Sequence, residues 1–306
     1  MRHRMMPSAA LVVLALAVGC GTLAVWSVPE KRASAARTAE ALRADELFWR
    51  TLHGGGYEQI PRTLTALKAA YLANPSDAVT AAHIGWMHIW RLAERSRLGS
   101  AAGPDITDDA TLARRYFEEA VRLDPADARY LGFYASLLMT EGTIHRDEKL
   151  VRRGYYTMRD AVAAWPEFNY FTSGYSVSAQ PHDSSRFREG LEAQWLNLDV
   201  CVGESVDRAN PNYARYMRLE TREGAKRVCW NSWIAPHNLE GFFLNLGDML
   251  VKAGEPERAV TMYSNATLTP DYAHWRTRVC SSSGSPMPRP MSRCSAERIR
   301  QRADPR

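Results

Sequence analysis

Apolar side chains return at every third or fourth position from Thr38 to Trp275, the spacing of one helix face rather than the alternation of a strand. Alternating β-branched runs are scarce, and Pro and Gly punctuate the pattern at hairpin intervals. This predicts an all-α body of antiparallel helix pairs. Arg186 to Val200 reads as one further helix within it.

One frame recurs along this pattern. Ala113, Phe117, Ala120 and Pro125 are spaced by four, three and five residues. The small Ala side chains let two helices approach closely, Phe117 fills the gap between them, and Pro125 cannot continue the helix, so the chain turns into the next hairpin. Gly154, Met158, Ala161 and Pro166 repeat the frame, and Leu67, Ala70 and Pro75 repeat it more weakly. The most complete copy is late in the chain. Phe243, Leu246, Gly247 and Leu250 predict a first helix, Gly254 a turn, and Ala259, Tyr263 and Ala266 a second helix closed by Pro270.

Together these positions resemble the tetratricopeptide repeat family, over about half of the chain. The resemblance implies an α-solenoid of roughly five to seven hairpins at ~34 residues each. Stacked hairpins of that kind curve around a groove that takes extended peptides or helices. The motif is specific for a fold and says little about a ligand.

Two stretches depart from the frame. Gly85 takes the eighth position of a repeat, but the matching Ala113 follows 28 residues later, sixteen more than the frame needs. The excess contains the loop-forming run from Leu98 to Asp105. Residues 167–238 match no repeat cleanly and gather Phe168, Tyr170, Phe171 and Tyr175. They read as divergent hairpins pinned by a disulfide.

Charge separates the ends from the body. Residues 1–37 carry a net +4, residues 276–306 a net +6, and the body between them −5. A nucleic-acid binder needs a basic folded surface that follows phosphates, so this distribution argues against nucleic acid. The boundaries predicted are an N-terminal segment at 1–37, a helical repeat domain at 38–278 and a disordered tail at 279–306. The tail is Ser/Pro/Arg-rich and cannot bury a core.

The N-terminal segment has a basic front and then twenty uncharged residues, 9–28, closed by Lys31 and Arg32. Three readings stay open. The run is long enough for a membrane-spanning signal anchor. Leu16 to Cys20 resembles a bacterial lipobox with Cys20 lipidated, although Ala17 stands where Leu is usual. Ala33-Ser34-Ala35 offers a signal-peptidase site. Each puts the body outside the cytoplasm, in the cell envelope. The four remaining cysteines, Cys201, Cys229, Cys280 and Cys294, form an even set that suits an oxidising compartment. Neighbours in sequence are the simplest pairing, so a Cys201–Cys229 bridge is expected. No C-x-x-C pair or closely spaced His favours zinc instead.

Candidate chemistry is sparse. His53-Gly54-Gly55-Gly56 follows a predicted helix rather than a strand, so a hinge explains it better than a phosphate loop. His83 and His88 are five apart and face different ways on one helix, which does not suit a metal pair. Trp86 and Trp90 are four apart and share a face. That face is either packed core or an aromatic wall for a partner. Cys229 to Asn238 contains Trp230, Trp233, His237 and Asn238. It reads either as a ligand pocket or as an inter-helix loop with Asn238 capping the next helix. Asp108-Asp109 and Glu118-Glu119 read as solvated charge and helix-dipole partners. No catalytic, cofactor or metal-ligand set is assigned. The expected function is a protein–protein scaffold with an unknown protein partner, held at the membrane by the N-terminal segment. A small-ligand or glycan module comes second and an enzyme third.

Overall fold

Several helices start where a short polar side chain holds free backbone amides. Thr38, Asp127, Asp147 and Ser184 accept from the first turns of the helices they precede, each such cap contributing about 1 kcal/mol. One turn is used twice. At Asn74–Asp77 and at Asp124–Asp127 the helix ends before a Pro, and an Asp two residues beyond that Pro opens the next helix. Asp77 has a second task, because its Oδ2 accepts from Arg37 Nε at 3.0 Å. That pair ties the entering chain to the third helix. At Pro166 the linker disappears and the Pro itself stands in the first turn.

The computed structural model describes residues 24–93, 106–231, 233–234 and 239–268. Among them the chain is all-α, with no strand. Residues up to Ala33 form a unit of their own, and the helices belong to the second unit, Ser34–Arg306. In order these are α1 (Ala39–His53), α2 (Ile60–Ala73), α3 (Ala78–Ala93), α4 (Ile106–Leu123), α5 (Ala128–His145), α6 (Glu148–Ala164), α7 (Pro166–Val177), α8 (Ser185–Val202), the short α9 (Tyr213–Met217), α10 (Leu239–Lys252) and α11 (Pro256–Asn265). The pairs α1–α2, α3–α4, α5–α6, α7–α8 and α10–α11 pack as helical hairpins. Up to α7, each second helix also packs on the first helix of the next hairpin.

The repeated frame is built as spaced. Ala113, Phe117 and Ala120 are fully buried, as are Ala161, Ala259 and Ala266. A Cβ on Gly85 would lie 2.6 Å from the Phe117 ring, and one on Gly247 2.4 Å from the Tyr263 ring. In both hairpins a glycine of the first helix receives an aromatic ring of the second. Phe117 follows Gly85 by 32 residues and Tyr263 follows Gly247 by 16. The difference is the length of the insertion read from the sequence, whose Leu98–Asp105 run lies outside the described residues.

The pattern changes after α8. Gly203 ends that helix in a left-handed conformation at φ 86°. Among the described residues from 204 to 234 there is no further hairpin, which corrects the expectation of divergent hairpins for that stretch. They hold α9 and a 3₁₀ turn, Ala225–Cys229. Hairpin periodicity fails here because Arg/Glu/Asn-rich chain offers no continuous apolar face. A disulfide joins Cys201, at the end of α8, to Cys229, with 5.9 Å between their Cα atoms.

Among the described residues no helix is long and apolar enough to cross a membrane. Most of the uncharged run at 9–28, including Cys20, lies outside them. So do Pro270, the tail with Cys280 and Cys294, and His237 and Asn238.

Candidate functional site

The first helices of four successive hairpins share an aromatic row. Phe48 of α1 stacks on His83 of α3 at 3.9 Å between ring centres and lies 5.9 Å from Trp86. Trp86 meets Phe133 of α5 edge-on at 5.5 Å and Phe117 of α4 at 5.7 Å, and those two rings stack on each other at 5.3 Å. Phe133 passes the row to Phe168 of α7 at 6.1 Å, and Trp165 continues it at 5.7 Å. Offset and edge-to-face contacts of this kind contribute about 0.5–1.5 kcal/mol each beyond burial.

Two buried imidazoles each face an Asp, and one of them, His83, belongs to this row. His83 Nδ1 lies 2.8 Å from Asp45 Oδ1. His88 Nδ1 lies 2.7 Å from Asp109 Oδ1, whose other oxygen faces Arg91 at 3.4 Å. Complete burial holds the His83 imidazole below its ordinary pKa, against the pull of Asp45. Burial alone would raise the Asp45 carboxyl, but His83 and Arg37 beside it outweigh burial and hold it below its ordinary value. The two imidazoles are 2% and 1% exposed, too deep for a substrate to reach. Asp109 corrects the reading of Asp108-Asp109 as solvated charge. It is buried, and its partner is an imidazole 21 residues earlier in the chain.

Segment 225–234 runs across the ends of this aromatic row. At one end Trp165 Nε1 donates to the Ala225 carbonyl at 3.0 Å, and the Arg227 guanidinium lies 4.5 Å from the centre of the Trp165 ring. Cys229 is locked by its disulfide, and Trp230 is 5% exposed within the core. At the other end Arg129 of α5 donates to the Ile234 carbonyl at 2.6 Å. Trp233 sits against His53 at 4.1 Å and Trp49 at 5.7 Å, both on α1. Burial works against the Arg129 charge, and the hydrogen bond and charge of Asp127 outweigh it. The guanidinium is thus held in place as a donor. Asn231 Oδ1 accepts from the Trp233 amide at 3.0 Å, a local turn that presents the indole.

The sequence candidates therefore separate. Trp86 is 3% exposed and belongs to the core, whereas Trp90 is half-buried beside Tyr57 at 5.8 Å. Trp230 is core, and Trp233 is 57% exposed on the opposite side of the same segment. Trp49 and Arg129 were not singled out by sequence, and His53 was weighed only as part of a Gly-rich hinge. They meet only because α1, α5 and segment 225–234 converge, and no local spacing announces that. Neither the Trp86 nor the Trp230 indole N–H finds an acceptor among the described residues. Among those residues no three His, Cys, Asp or Glu side chains converge in a way that could hold a metal ion.

No protein-family model matches the chain, and comparison with curated proteins finds no match.

Proposed function

We propose that this chain is a protein–protein interaction scaffold of the cell envelope, an α-solenoid of tetratricopeptide-like hairpins whose first helices form the binding groove. One observation carries the reading. The face made by the first helices already holds another stretch of the chain's own polypeptide, the 3₁₀ turn Ala225–Cys229 and the described residues that follow it to 234. It does so with aromatic rings and with side-chain donors, Trp165 and Arg129, aimed at main-chain carbonyls. Carbonyls are common to every peptide, so such donors suit a surface that receives extended chain. The Cys201–Cys229 bridge supports an oxidising compartment, and the basic, uncharged N-terminal segment supplies export or membrane attachment.

The test is crosslinking in intact cells, then affinity capture and mass spectrometry of the envelope fraction. The reading expects a reproducible protein partner that disappears when Trp90→Ala and Trp165→Ala are introduced together into a folded chain. A verified folded sample with no enriched protein would overturn it. Fractionation and the mass of the mature N-terminus decide between anchor, lipidation at Cys20 and cleavage.

A second reading, a small-ligand or glycan module, is favoured by the two buried indole donors that lack acceptors. It expects a polar small molecule to raise the melting temperature, and Trp86→Phe or Trp230→Phe to abolish the rise. Those variants keep the ring and remove only the N–H.

A further inference from the structure

We propose that Trp49, His53 and Arg129 form a peptide-docking site that residues 233–234 of the same chain occupy as a displaceable internal mimic. The occupant from outside would be an extended segment bearing an aromatic side chain next to a main-chain carbonyl. This rests on the scaffold reading and names the partner chemistry at one end of its groove.

The two ends of the crossing segment differ in how they are held. Cys229 is covalently fixed and Trp230 is 5% exposed. Past that anchor the described holdings are three: the half-buried Ile234 side chain packed against the core, the ring contacts of Trp233 and one donor from Arg129. Trp233 is 57% exposed although it touches two rings. Its contacts are an edge-on meeting with the His53 ring and a tilted one with Trp49, arrangements open to any aromatic side chain. The Arg129 donor reads only the Ile234 carbonyl and no side chain. Asp127 fixes that donor independently of its acceptor: Arg129 Nε donates to Asp127 Oδ1 at 2.9 Å. The site therefore keeps its shape when residues 233–234 leave. A tethered mimic sits at high effective concentration, so it masks the site from weak outside peptides and yields to stronger ones.

The probe is a fluorescein-labelled peptide, Ser-Trp-Asn-Ser-Trp-Ile-Ala, which copies residues 229–235 with Ser in place of Cys229. Fluorescence anisotropy measures its affinity for the full chain. A mimic docked about nine-tenths of the time hides the site by about tenfold. Trp233→Ala, with a native circular-dichroism spectrum and melt, is expected to bind the probe about tenfold tighter than the unaltered chain. The gain should vanish in Trp233→Ala/Trp49→Ala. Asn231→Ala removes the turn that presents Trp233 and touches neither core nor docking site, so it should give a smaller gain, about threefold. It also serves as the decisive variant if Trp233→Ala fails to fold. Folded variants that bind the probe no tighter than the unaltered chain overturn the proposal. So does a gain that survives loss of Trp49. Cellular capture through Trp90 and Trp165 reads the scaffold separately. A partner captured there with no gain at Trp233 sinks only the mimic.

Discussion

Gly85 offers the sharpest test of the helix packing, because two opposing effects there can be sized. Gly85→Ala gains helix propensity, about 1 kcal/mol in a helix interior. Against this, the new methyl would stand 2.6 Å from the Phe117 ring, well inside van der Waals contact. The ring cannot step aside. It is fully buried and packed against both Trp86 at 5.7 Å and Phe133 at 5.3 Å. Overpacking of a rigid core costs roughly 1–3 kcal/mol, and a clash this deep belongs at or above the top of that range. The net expectation is a loss of about 2 kcal/mol, a fall of about 4 °C or more in melting temperature for a chain of this size. Gly247→Ala meets the Tyr263 ring at 2.4 Å, but that ring is half-buried and can swing outward. That swing gives up the 2.6 Å hydrogen bond from the Tyr263 hydroxyl to Asp248, so the propensity gain offsets only part of the cost, and the loss should be smaller than at Gly85, about 1 kcal/mol. Thermal and urea melts followed by far-UV circular dichroism measure both. Phe117→Leu should cost about 1–1.5 kcal/mol alone. Combined with Gly85→Ala it should cost little more, a coupling of about −2 kcal/mol. If Gly85→Ala is neutral, or the double variant is additive, the ring does not occupy the glycine and the hairpin packing is misassigned.

Other outcomes follow from the same contacts. Cys201→Ala/Cys229→Ala should lower stability by up to about 3.5 kcal/mol through the 28-residue loop it frees. A reductant should lower the urea midpoint of the unaltered chain and leave that of the variant unmoved. His83 has a folded pKa below its unfolded value, so the unfolded state binds its proton first as pH falls. Its contribution is full above about pH 6.5 and is lost as pH drops toward the folded pKa, by at most about 1.4 kcal/mol per pH unit. Melting temperatures between pH 7 and 5 should therefore fall more steeply for the unaltered chain than for His83→Gln, and equal slopes would refute the assignment. Asp127→Ala removes the α5 cap and the partner of Arg129, a cost of about 1–2 kcal/mol readable in a urea melt.

What the sequence made legible is what a few turns of helix decide locally. The Ala113–Phe117–Ala120 frame and the Pro–Asp turns write their structure into spacing, and the frame survives a sixteen-residue insertion because its two halves are each local. Trp86 and Trp90 show where spacing stops. They share a face, yet Trp86 is buried among the rings of Phe48, His83, Phe117, Tyr130 and Phe133 while Trp90 stands near the helix end beside Tyr57. Asp109 looked like any acid in a first helical turn, since its imidazole partner belongs to another helix. The Arg129 contact to Ile234 joins residues 105 apart and crosses a stretch with no period at all.

The forces at the two ends of segment 225–234 explain how one short stretch can be both structural and displaceable. Burying an indole as Trp230 is buried removes about 200 Å² from water, up to about 5 kcal/mol, so thermal motion does not release it. Trp233 has a contact of about 0.5–1.5 kcal/mol with the rings beneath it, and Arg129 adds one hydrogen bond of about 1 kcal/mol. From these the entropy of ordering four residues past Cys229 must be subtracted, at about 1 kcal/mol or more apiece if all their freedom were lost. The Asn231 turn lowers that cost by restricting the undocked chain as well. The half-buried Ile234 side chain, packed against the core, adds to the favourable side, and gain and cost come out of the same size, so the docked state is held by a narrow margin. A stronger hold would make Trp233 an ordinary core residue, which its 57% exposure contradicts. A weaker one would leave Trp49 and His53 uncovered, and they are covered.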